Sequence, residues 1–77
     1  MSTWVAYLRI VLAETLIASL QNREAEWEIL AALPTIEEQK MVPEGFAAVS
    51  LLRESVKRRQ ASPEALREVR EYLQAKN

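Results

Sequence analysis

The sequence predicts an all-α protein: a small bundle of four to five short helices forming a single helical domain over residues 1–77. Three observations carry this. Good helix formers (Ala, Leu, Glu, Arg, Gln) dominate. Gly occurs once and Pro three times, so few positions interrupt a helix. No stretch keeps the polar–apolar alternation of a half-buried strand.

The first helix is expected to start at Ser2 or Thr3, either of which can cap, and to run to about Gln21. Its apolar residues, among them Trp4, Val5, Leu8, Ile10, Val11, Leu12, Leu16 and Ile17, surround the axis at about 100° per residue. A helix that is hydrophobic all round belongs in the middle of something, so this helix is expected to be central. A 77-residue chain has too few other helices to enclose it, and one face is expected to meet a second chain. The competing expectation is that Arg9 and Glu14 mark a modest solvent face and the rest is covered internally.

Gln21-Asn22-Arg23-Glu24 is a plausible break, because Asn can end one helix or cap the next; a continuous helix through it is also open. The second segment, about 23–33, carries Trp27, Ile29, Leu30 and Leu33. Pro34 is expected to stop it, since the residue before a proline is pushed out of the α region. Thr35-Ile36-Glu37-Glu38 then fits a capping box that opens a short helix ending by Val42.

Val42-Pro43-Glu44-Gly45 marks a loop or helix start. The next helix should run from Pro43 or Glu44 to Arg59 or Gln60, with Ala48, Val49, Leu51, Leu52 and Val56 on one face. Ser50, Arg53, Glu54, Lys57 and Arg58 share the other face, where Glu54 and Arg58 form an i,i+4 pair worth about 0.3–0.5 kcal/mol. Phe46 falls off the apolar stripe, as a staple at the helix start or an exposed contact residue. Ala61-Ser62-Pro63-Glu64 restarts the last helix, with Ser62 as cap and Pro63 at the first helical position. Leu66, Val69, Tyr72 and Leu73 give it a clean buried stripe, with Arg67, Glu68, Arg70 and Glu71 toward solvent.

Composition bounds the chemistry. There is no Cys and no His, which excludes a disulfide scaffold, a zinc finger and a Cys- or His-based catalytic centre. No Ser lies in a Gly-x-Ser-x-Gly or Ser-x-x-Lys setting, and one Gly cannot build a phosphate-cradling loop. Glu24 and Glu28 lie one turn apart, but helical di-metal sites pair Glu with a Glu-x-x-His motif. The chain is therefore expected to be no enzyme and to carry no cofactor and no metal. A core this small rarely supplies more than about 3–5 kcal/mol, so association is the default reinforcement, and a homodimer is expected.

Charge is unevenly placed. Residues 1–39 carry two basic and six acidic side chains, while residues 40–77 carry eight basic and five acidic. These halves can attract each other within a subunit or across an antiparallel dimer, or can simply be solvated faces. Residues 4–20 are the most apolar run, but Arg9 and Glu14 near its middle argue against a membrane span. Met1-Ser2-Thr3 offers no basic leader, and a cytoplasmic protein is expected.

The leading functional expectation is a small regulator of the adaptor, chaperone or inhibitor kind that binds a partner protein through apolar helix faces. Trp4, Leu8, Val11, Trp27 and Phe46 are the candidate contact residues, with tryptophans the usual anchors of such interfaces. The alternative is a DNA-binding regulator in which Lys57, Arg58, Arg59, Arg67 and Arg70 form a basic helix-turn-helix-like segment over residues 57–70. Against that alternative stand the slightly acidic whole chain and Glu64, Glu68 and Glu71 on the would-be reading helix.

Overall fold

A computed structural model describes residues 3–39 and 43–76, with Pro43, Glu44 and Lys76 described by their backbone alone. Among the described residues there are four helices and no strand: α1 (Thr3–Ala18), α2 (Asn22–Glu37), α3 (Pro43–Lys57) and α4 (Pro63–Lys76). The expected cap at Ser2 and the expected helix end at Val42 lie outside the described residues.

The four helices form a closed ring in which each packs on two neighbours: α1 on α2 and α4, and α3 on the same two. The expected central position of the first helix is not what this ring provides. α1 is one wall of four, with one side toward the core and one side outward. Ile10, Ile29, Ile36, Leu52, Leu66, Val69 and Leu73 are fully buried at the centre, and among the described residues no polar or charged side chain joins them. The Cα radius of gyration, 11.0 Å, is close to the roughly 11–12 Å expected of a folded chain this long.

Residues 3–33 make two helices, not one, and the turn between them is built without the asparagine cap. Leu20 takes a left-handed conformation (φ 61°). The Gln21 N–H donates to Leu16 O at 2.8 Å and the Leu20 N–H to Ile17 O at 3.0 Å, the paired bonds of a Schellman motif. Asn22 is the first residue of α2, and Gln21 sits at the cap position with no side-chain cap bond.

Pro34 does not end α2, which runs on to Glu37. An interior proline costs about 3 kcal/mol. Burial of Leu33 and Ile36 offsets it, at about 1.5–3 kcal/mol for each large aliphatic side chain. Arg53 of α3 also pairs with Glu37, and the Gln39 amide donates to the Thr3 hydroxyl, holding the last turn down at both sides. Thr35 therefore lies within α2 and the capping box does not form.

The second half follows its pattern more closely. Ala48, Val49, Leu52 and Val56 of α3 are buried, while Leu51 is exposed. Glu54 approaches Lys57, at 3.8 Å, in place of the expected Arg58. α3 ends in a second Schellman motif: Arg59 is left-handed (φ 56°), the Gln60 N–H donates to Ser55 O, and the Arg59 N–H donates to Val56 O, both at 2.9 Å. The Ser62 hydroxyl caps α4 by accepting the Ala65 N–H at 3.2 Å. The Ser55 hydroxyl accepts the Ser62 N–H, tying the cap to the end of α3. Gly45 is needed for close approach, because a Cβ there would overlap the Tyr72 ring of α4.

Candidate interaction surface

α1 packs two alanines and an isoleucine into the core, with Tyr7, Leu16 and Ile17 against its edges. Its buried residues are Ala6, Ile10 and Ala13. The outward side carries Trp4 (57% exposed), Leu8 (45%), Leu12 (44%) and Val5 (39%), with Val11 half-buried beside them. Trp4 is stacked on Tyr7, ring centroids 5.3 Å apart and planes 20° apart. Tyr7 in turn packs on the core, so the exposed indole is held in place.

The two charges of α1 are both engaged at its flanks. Arg9 forms an ion pair with Glu28 of α2 at 2.9 Å, and its guanidinium carbon lies 5.5 Å from the centroid of the Trp27 ring. On the opposite flank Glu14 accepts from Arg70 Nε of α4 at 2.6 Å. Each pair is partly shielded, and each is worth no more than about 1 kcal/mol. Their larger effect is to draw charge off the outward side. The two hydroxyls there, though exposed, donate to the helix backbone: Thr15 to Val11 O at 3.3 Å and Ser19 to Thr15 O at 3.1 Å. The outward side of α1 thus offers neither charge nor a hydroxyl donor to solvent.

Trp4, Leu8 and Val11 are thereby brought together on one surface, which Val5 and Leu12 extend. Those two were apolar in the sequence like their neighbours, and an all-round apolar helix does not say which side points out. Leu20, 86% exposed, stands at the end of the same helix. Trp27 and Phe46 lie elsewhere.

Trp27 and Leu30 are exposed on α2 and border a groove of about 580 Å³ between α2 and the end of α3. Val56 joins them as apolar lining, and Arg23, Glu26, Lys57 and Arg59 complete it. Phe46 is exposed on α3 over a smaller cleft of about 330 Å³ that includes Glu37, Gln39 and Arg53.

The basic residues 57–70 are not one surface. Lys57 and Arg59 border the α2–α3 groove, Arg70 is engaged by Glu14, and Arg67 is exposed on α4 with Glu64, Glu68 and Glu71. Among the described residues two ion pairs join the acidic and basic halves within the subunit, Glu14 with Arg70 and Glu37 with Arg53. Among the described residues no group of three or more His, Cys, Asp or Glu is placed to hold a metal, and Glu28 is turned to Arg9. No described helix is long and apolar enough to cross a membrane. Comparison of the chain with protein-family models, curated proteins and solved structures gives no match.

Proposed function

We propose that this chain is a small non-enzymatic protein-interaction module that pairs with a second copy of itself through the outward side of α1. It acts by holding or occluding a partner protein. The observation that carries the reading is the outward side of α1, where Trp4, Leu8 and Leu12 are exposed together while Ala6, Ile10 and Ala13 face the core. Large exposed apolar side chains grouped on one uncharged surface mark an interaction site.

A second copy suits this surface because it is self-complementary in size. Consider two α1 helices packed antiparallel about a twofold axis between Val11 and Leu12. With about 100° and 1.5 Å per residue, Leu8 then faces the other copy's Thr15. Trp4 faces Ala18, and Val5 faces Ser19. Val11 and Leu12 each meet their own copy across the axis. Large residues of the first half oppose small residues of the second, as interdigitated packing requires. The α2–α3 groove and Phe46 remain outside this contact for a partner protein. The DNA-binding reading is weakened by the engagement of Arg70 and by the three glutamates around Arg67.

Sedimentation tests the pairing. The wild type is expected to run as a dimer at micromolar concentration, and Leu8→Glu with Leu12→Glu as a helical monomer. A wild-type monomer would overturn the proposal. Register is read by crosslinking, which the cysteine-free chain makes clean. Val11→Cys or Leu12→Cys should link to its own copy under oxidation. Trp4→Cys should not, since the antiparallel register separates the two copies of residue 4 by about 22 Å along the axis. Linkage at position 4 would indicate a parallel pair.

A further inference from the structure

The α2–α3 groove combines an apolar lining with an excess of positive charge. Trp27 and Leu30 of α2 and Val56 of α3 line it, and about 580 Å³ is within the usual range of about 300–1,000 Å³ for binding clefts. Around them stand three cations, Arg23, Lys57 and Arg59, against one carboxylate, Glu26. Among the described residues neither Arg23 nor Arg59 has a carboxylate within ion-pair distance, and Lys57 has only Glu54 at 3.8 Å, both of them well exposed. Elsewhere on this protein Arg9, Arg53 and Arg70 all have carboxylate partners from other helices. Arg58 and Arg67 also lack an ion pair among the described residues, but this groove is where two unpaired arginines and Lys57 border one apolar lining.

The backbone adds an independent observation. Arg59 occupies the left-handed residue of the α3 Schellman turn, where glycine is the cheapest choice. A side chain there costs roughly 1 kcal/mol in local conformation. In that conformation Arg59 lines the groove together with Trp27 and Leu30. Backbone strain held at a ligand-facing position is a recurrent sign of function.

We propose that this groove docks an acidic amphipathic segment of a partner protein, one presenting large aliphatic or aromatic side chains among Asp and Glu residues. The apolar side chains of the segment fill the space over Trp27, Leu30 and Val56. Its carboxylates meet Arg23, Lys57 and Arg59. The aliphatic part of the lining favours a peptide over a single-stranded nucleic acid, which needs successive aromatic platforms for its bases. Trp27 is the one aromatic residue in this groove, and Arg9 packs over its ring. The inference rests on the reading of the chain as an interaction module, but not on the α1 contact.

The test uses the full chain and a fluorescein-labelled synthetic peptide with leucines on one helical face and glutamates on the other. Controls are the same peptide with glutamine for glutamate and a single-stranded DNA oligonucleotide. The acidic peptide should bind, and the indole N–H resonance of Trp27 should move while that of Trp4 stays. Arg23→Gln and Arg59→Gly should each weaken binding about two- to fivefold, the range expected of exposed charge pairs. Arg59→Gly should at the same time raise the thermal midpoint, which separates lost binding from lost folding. Equal affinity for the glutamine peptide would overturn the proposal. So would tighter binding of the oligonucleotide, or a stationary Trp27 resonance at millimolar peptide. Sedimentation reports on the α1 pairing separately, so failure of one reading is not mistaken for failure of the other.

Discussion

α1 and α4 are neighbours of nearly equal length in the same ring, and they treat their side chains in opposite ways. α4 buries Ala65, Leu66, Val69 and Leu73 and exposes Glu64, Arg67, Glu68, Glu71 and Gln74. α1 buries Ala6, Ile10 and Ala13 and exposes Trp4, Val5, Leu8 and Leu12. The inward side of α4 supplies three large residues to the core, while that of α1 supplies Ile10 between two alanines, with Leu16 and Ile17 packed at its edges. The outward side of α4 is complete in water. The outward side of α1 leaves several large side chains about half exposed, each of which would gain roughly 0.7–1.5 kcal/mol if the remainder were covered. Both helices hold the ring together, but of the two only α1 leaves several large apolar side chains on its outward side.

Truncation separates these roles most strongly. Leu66→Ala should cost about 2–5 kcal/mol in urea-induced unfolding, because it opens a cavity at the centre. Leu8→Ala, measured at concentrations low enough to keep the chain monomeric, should cost well under half of that, and should instead weaken self-association. Comparable losses of monomer stability for the two variants would erase the distinction between the helices. Gly45→Ala comes next. The added methyl group meets the Tyr72 ring, so either the start of α3 or the ring must move. A loss of about 1–3 kcal/mol is expected, as for other overpacked contacts. A chemical shift change at Tyr72 should accompany it, and Gly45→Ala with Tyr72→Leu should recover part of the loss. An unchanged midpoint for Gly45→Ala would show that α3 and α4 are not pressed together at this point.

The same contrast explains what could be read from the chain alone. α4 has a Ser-Pro start and one apolar stripe, so both its cap and its buried residues Leu66, Val69 and Leu73 were legible. α3 was legible apart from Leu51, which lies at the edge of its apolar stripe and remains exposed. α1 was legible as a helix but not in orientation, because apolar residues on every side name no direction. What orients it is tertiary: Arg9 reaches Glu28 and Glu14 reaches Arg70, partners 19 and 56 residues away. Pro34 misled for a similar reason. Its local cost is real, but Leu33 and Ile36 are buried on either side of it. The α2–α3 groove was also hidden, because Trp27, Leu30, Val56 and Arg59 converge only when the two helices are side by side. Of its residues, Trp27, Lys57 and Arg59 stood out in the sequence, but under different readings.

The smallest effect concerns the end of α1, where two demands on one residue can be separated. Leu20 is left-handed and 86% exposed, so in the isolated subunit it gains little from burial and carries the conformational cost of a side chain at that position. Leu20→Gly keeps the Schellman bonds from Gln21 to Leu16 and from Leu20 to Ile17, both of which are backbone bonds. It should stabilise the monomer by about 0.5–1 kcal/mol, the left-handed relief being partly offset by the greater freedom of glycine in the unfolded chain. If Leu20 extends the apolar surface of α1, the same variant should sediment with a weaker dimer despite its more stable subunit. Opposite signs in the two measurements would tie Leu20 to the contact between copies. A gain in monomer stability with unchanged dimer affinity would confine that surface to residues Trp4 to Ser19.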